Sequence, residues 1–91
     1  MDKADLLTPP TNFAIVQLPE RRYPGVVMQG DTLHNLVLRL LSLQESLEKV
    51  KEHDLALEVY DLCDPLAEAL RFYELTCERK GIRLPYPKKG P

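Results

Sequence analysis

Four groups of side chains in this 91-residue chain have chemistry to offer. Asp31 and His34 stand three residues apart, which on a helix brings a carboxylate and an imidazole to one side, within reach of one metal ion or one substrate. Two ligands leave most of a coordination shell unfilled. A helix cap at Asp31 and a surface or interface imidazole at His34 is the simpler expectation. Gln29-Gly30-Asp31 follows a candidate strand and opens a helix, where backbone amides can cradle an anion. A phosphate loop, however, wants several glycines and usually a lysine, and Asp31 adds negative charge at the wrong place. Cys63 and Cys77 fall on or beside an apolar stripe and read as buried thiols filling space; no histidine or second carboxylate beside them in sequence suggests a nucleophilic dyad. Arg21-Arg22-Tyr23 is the most informative cluster. Paired arginines beside an aromatic can stack and make bidentate contacts to carboxylate or phosphate, the alternative being a solvated loop bridged to Asp31 or to acidic helix residues. The sequence therefore predicts no catalytic residue, no metal and no cofactor. Its candidate partner- or ligand-binding residues are Arg21, Arg22, Tyr23, Gln29, Asp31 and His34.

Composition narrows the classes further. The net charge of −2 argues against non-specific nucleic-acid binding. The longest apolar runs are a few residues, too short for a membrane helix, and Met1–Asp5 leads into polar, proline-rich sequence without the apolar core of a secretory signal. Two cysteines make no disulfide framework. Residues 1–91 read as one domain that buries only about 60–65% of its unfolded surface, so help from a second subunit is expected. The acidic residues lie mostly off the apolar stripes, as a solvated face supported by pairs such as Glu45–Lys49.

Seven of the eight prolines lie before residue 25 or after residue 84, which separates a turn-rich N-terminal third from a helical remainder. Residues 1–11 and 85–91 are expected to be loosely ordered tails. Phe13–Leu18 and Gly25–Gln29 read as two strands of a β-hairpin, each apolar on both faces. One face is expected to pack on the helices, leaving the other face or an edge to be covered. Asp31 is the expected N-cap of a first helix, in which Leu33, Leu36, Leu40, Leu43, Leu47 and Val50 form a stripe. A second stripe runs through Leu55, Val59, Leu62, Leu66, Ala69/Leu70, Tyr73 and Cys77. The five-residue step from Val50 to Leu55 breaks the phase, so a reversal near Glu52–Asp54, with Asp54 as second cap, is preferred to one long helix that would need a partner chain. Gly81 ends the second helix, and Pro65 is expected to kink it; a two-piece helix is the alternative. The fold class is α+β: an N-terminal β-hairpin followed by an antiparallel two-helix hairpin.

The stretch Asn12-Phe13-Ala14-Ile15-Val16-Gln17-Leu18-Pro19, continuing through Arg21-Arg22-Tyr23-Pro24-Gly25-Val26-Val27-Met28-Gln29-Gly30-Asp31-Thr32-Leu33, resembles a small uncharacterised bacterial family. That family's pattern is Arg-x-(Phe/Tyr)-Pro-Gly-Val-Val-x-Gln-Gly-Asp-(Ser/Thr)-Leu before a helical region of freer sequence. About a quarter of the chain carries the resemblance. It implies no activity, but it implies a cytoplasmic bacterial protein whose distinguishing surface is the hairpin and the start of the first helix. Pro24-Gly25 can turn the chain and Gly30 permits close approach. Arg21, Arg22 and Gln29 have no comparable structural necessity, which makes them candidates for recognition.

With no acid–base, nucleophile or metal set in view, the sequence points to a non-enzymatic interaction module. It self-associates as a dimer and binds a partner protein, without nucleic acid or membrane. Two alternatives stay open: an immunity or antitoxin-like inhibitor of a bacterial toxin that uses its acidic flank, and a small-molecule binder with a site at a dimer interface.

Overall fold

The computed structural model describes residues 3–87. Its elements are β1 (Asp5–Leu6), β2 (Ile15–Gln17), β3 (Gly25–Val26), α1 (Gly30–Lys49) and α2 (His53–Lys80). The chain is α+β, with a three-stranded antiparallel sheet at its N-terminal end and a helical hairpin after it.

The helical hairpin forms as the broken phase requires. α1 ends at Lys49 with Val50 as its C-cap, Lys51 takes a left-handed φ of 63°, and α2 starts after Glu52, a reversal slightly earlier than the expected Glu52–Asp54. Neither acidic residue caps its helix. Gln29 and Glu52 hold the N-cap positions without side-chain capping bonds, and Asp31 and Asp54 lie inside the first turns, where negative charge still suits the dipole. At the far end Gly81 adopts φ 69°, and the amides of Gly81 and Ile82 bond the Glu78 and Cys77 carbonyls, a left-handed helix stop that glycine accepts at no steric cost. α2 runs through Pro65 as one helix.

The two helices meet along stripes that differ from the most apolar ones in the sequence. In α1, Leu33 and Val37 are buried, Leu40 packs against them, and Gln44 and Leu47 are half-buried. In α2 the buried residues Ala56, Cys63, Leu70 and Cys77 recur every seventh position, with Val59, Leu66 and Tyr73 half-buried between them. Alternate steps of three and four mark an antiparallel coiled-coil seam. Small residues at positions 56, 63 and 77 let the backbones approach, and the Cys63 thiol lies 4.0 Å from the Val37 carbonyl oxygen. Leu36, Leu43 and Val50 of the expected first stripe, and Leu55, Leu62 and Ala69 of the second, fall outside the seam.

The sheet also departs from expectation. β2 pairs with β3 in the register Ile15↔Val26, within the two predicted strands, but β1 adds a third strand on the other edge through Leu6↔Val16. Two residues inside the stretch expected to be a loose tail thus become a strand. Such a strand has too few residues to show a period in sequence. Phe13, assigned to a strand by its neighbours, instead has φ 63° and stands before β2. Nor does the sheet lie on the helices: no strand Cα comes within 8 Å of a helix Cα. The sheet is joined to the helical layer through the segments on either side of it, where Ala14 is buried and Met28 packs on the core.

Candidate functional site

The Gln-Gly-Asp element owes its form to three neighbours. Asn12, across the sheet in sequence, accepts the Gln29 amide at 3.1 Å and donates to the Thr32 hydroxyl at 3.0 Å. It ties the strand-entry loop to the start of α1 and satisfies helix-start groups that no local cap reaches. Gly30 is buried, and a β-carbon there would fall on the ring of Tyr73. Asp31 turns its carboxylate onto the following amide, accepting the Thr32 N–H at 2.9 Å. Asn12→Ala should therefore lower stability by about 1–2 kcal/mol in urea unfolding. Asn12→Asp, which keeps the acceptor for Gln29, should recover part of the loss.

His34, one turn on, is half-buried under Tyr86: the rings stack in parallel, centroids 3.6 Å apart and planes 8° from each other. The Tyr86 hydroxyl donates to Glu74 Oε2 at 2.8 Å. The C-terminal segment, expected as a loose tail, thus crosses from α1 to α2 through this one aromatic residue; its positions 88–91 lie outside the described residues. Burial first, then the hydrogen bond to Glu74 and that carboxylate's charge, push the Tyr86 phenol well above its ordinary 10.0. Because the folded state holds this proton more tightly than the unfolded chain, the contribution is complete below pH 10 and declines as pH rises above it. The urea midpoint should fall above pH 10, and less steeply in Tyr86→Phe.

The predicted binding residues do not converge into one site. Arg21, Arg22 and Tyr23 lie exposed in the connection between β2 and β3. The Arg22 guanidinium carbon sits 5.3 Å from the Tyr23 ring centroid, a cation–π pair, and the Gln17 side-chain amide donates to the Arg21 carbonyl at 2.7 Å, fixing the turn. Neither arginine bridges to Asp31 or to a helix carboxylate among the described residues; Lys49–Glu45, at 3.5 Å, forms as expected. Gln29, Asp31 and His34 instead gather at the α1 start, with roles in or beside the chain's own contacts. Gly25 pairs within the sheet and has open space around it, so neither close approach nor a left-handed φ requires glycine there.

Two open grooves flank these parts. One, about 300 Å³, is lined by Phe13, Met28, Thr32, Asn35, Leu36 and Arg39; the other, about 570 Å³, follows α2 past Glu68, Arg71, Phe72, Glu74, Leu75 and Glu78. None of the six predicted binding residues lines either. Cys63 and Cys77 are buried free thiols, and no three His, Cys, Asp or Glu side chains converge on a metal position among the described residues. Sequence reasoning missed Asn12, whose partners lie 17 and 20 positions away, and Tyr86. The only signals were Asn12's fixed place ahead of the Gln-Gly-Asp element and an aromatic held between two prolines. What the surface offers is an exposed cationic-aromatic tip and apolar side chains open to solvent along both helices. No helix among the described residues is long and apolar enough to cross a membrane. No curated protein and no solved structure matches the chain significantly. A family model does match, over residues 1–86, and the chain belongs to that family, described as a family of unknown function, DUF6959.

Proposed function

We propose that this chain is a non-enzymatic protein-interaction module that self-associates and binds a partner protein. The surface area carries the reading. The chain exposes 7663 Å², whereas a globular monomer of 10.4 kDa presents about 5,400 Å². Its radius of gyration is 16.1 Å against about 12 Å for a compact domain of this length. The difference of about 2,300 Å² is more than one side of an ordinary protein–protein interface, about 800 Å². Leu55, Leu57, Leu62 and Phe72 are each more than half exposed, and among the described residues no side chain larger than alanine is sealed completely from solvent.

Two surfaces divide the work on this reading. The helices supply apolar area for self-association, and the Arg21-Arg22-Tyr23 tip faces a partner carrying carboxylates. Pro65, lacking the amide that would bond the Asp61 carbonyl, bends α2 and shapes the helical face. Reduced, buried Cys63 and Cys77 suit the cytoplasm of a bacterium. Light scattering at micromolar concentrations should return twice the 10.4 kDa chain mass, and a mass of one chain throughout refutes self-association. Affinity capture from the source cells should lose a specific protein in Arg21→Ala/Arg22→Ala; capture unchanged by the substitution removes the tip from the proposal.

A further inference from the structure

One set of apolar residues repeats at the seven-residue interval of the buried ones: half-buried Leu36 with exposed Leu43 and Val50 in α1, and Leu55, Leu62 and Ala69 in α2. Leu38, Leu41, Leu57 and Tyr60 are exposed as well, on the other flank of the hairpin. Leu43 is 48% exposed, Val50 67%, Leu55 54% and Leu62 59%. At 100° per residue, Leu36, Leu43 and Val50 stand about 60–100° to one side of Leu33. Leu55 and Leu62 stand about 80–100° to the same rotational side of Cys63. Because α1 and α2 run antiparallel, equal rotations from the seam point to the same face of the hairpin. All five therefore lie on one face, with Arg39 at its edge beside Leu36. On the other flank the corresponding positions are His34, Leu41 and Glu48 in α1 and Tyr60, Ala67 and Glu74 in α2, where Tyr86 already lies across His34 and Glu74. A two-helix contact needs only the seam positions. A stripe widened by one further residue per heptad is what a helix buries when it has two neighbours, as in a four-helix bundle.

We infer that a second copy of this chain covers the Leu36–Leu43–Val50–Leu55–Leu62 face, so that two hairpins stack about a twofold axis into a four-helix bundle. The inference rests on the self-association proposed above and assigns it a surface. The occupant follows from area and pattern together. The excess exposed area exceeds what one side of a stable dimer needs, and a hairpin presenting two matched aliphatic rows is self-complementary, the condition for an isologous interface. The sheets lie at the ends of such a bundle, leaving the Arg21-Arg22-Tyr23 tips free.

Leu43→Lys/Leu62→Lys tests it. Both positions are about half exposed in the single chain, so the lysines can reach water there, whereas the dimer would bury four ammonium groups. The variant should run at the mass of one chain with its dissociation constant raised at least about 100-fold, and circular dichroism should show its helix content retained. The control Leu38→Lys/Leu57→Lys, on positions turned away from this face, should keep the two-chain mass. A measurement on the folded wild-type assembly covers the case in which the separated chain unfolds. A benzophenone side chain at position 43 should photo-crosslink to a second copy, and one at position 57 should not. A wild type of one-chain mass at every concentration overturns this inference along with the self-association it rests on. A two-chain mass that survives Leu43→Lys/Leu62→Lys, or crosslinking from position 57 and not 43, overturns the assigned face alone.

Discussion

Gly30→Ala should destabilise the protein by about 2–3 kcal/mol, read from the urea midpoint at constant slope. At an ordinary helical position the same change gains about 0.5–1 kcal/mol, because alanine loses less backbone entropy and favours the helix. Here the sign reverses, since the new β-carbon would fall on the Tyr73 ring. The ring is half-buried and packs against the core, so moving it aside disturbs that packing. Shortening the ring should separate this clash from general damage. In Gly30→Ala/Tyr73→Leu the alanine should cost less than in the wild-type background, with a coupling of about 1–2 kcal/mol. A Gly30→Ala protein as stable as the wild type would show that the close approach of α1 and α2 at this point does not exist.

Leu70→Ala should cost about 2–4 kcal/mol, and in so thin a core that is a large share of the total. A domain of this length has on the order of 5–14 kcal/mol in all, while the central cluster holds only four buried side chains: Leu33, Val37, Cys63 and Leu70. The loss should be the same at every protein concentration, because Leu70 packs within its own hairpin. Leu62→Ala makes the instructive comparison. Its side chain is 59% exposed in the single chain, so at dilutions where chains are separate it should cost only a few tenths of a kcal/mol. If the aliphatic face is covered by a second copy, the cost should grow as concentration rises and association contributes to stability. Thermal melts of both variants across a concentration series separate the two behaviours; equal, concentration-independent losses would place Leu62 inside the single chain's own core.

The helices were legible because their signals are local and repeated. Phase slips by one residue between Val50 and Leu55, and the slip alone called for a reversal; Gly81 marked the end of α2 through backbone freedom that only a C-terminal stop needs. The strands were legible only in part. Ile15–Gln17 and Gly25–Val26 lie inside apolar runs, whereas Asp5–Leu6 has no pattern and exists because β2 has a free edge to pair. The cap at Asp31 was misread for a related reason: residue type identifies a good acceptor, but Asn12 reaches the Gln29 amide from the segment that leads into β2, opposite the exit of β3, and nothing local records that approach. Of the six candidate binding residues, sequence placed the Arg21-Arg22-Tyr23 tip in a loop between strands, where it lies. That His34 stacks on Tyr86 needed the fold.

By itself, then, the amino-acid order determined the two helices to within about two residues of their starts, the reversal between them, and the glycine stop of the second. Those are local properties of spacing and residue type. Only the tertiary structure decided which edge of each apolar row faces the other helix. Ala56, Cys63 and Cys77 are small enough to let the backbones approach, so the seam runs through them, and the larger Leu43, Leu55 and Leu62 are turned outward, although hydrophobicity alone ranks them first for burial.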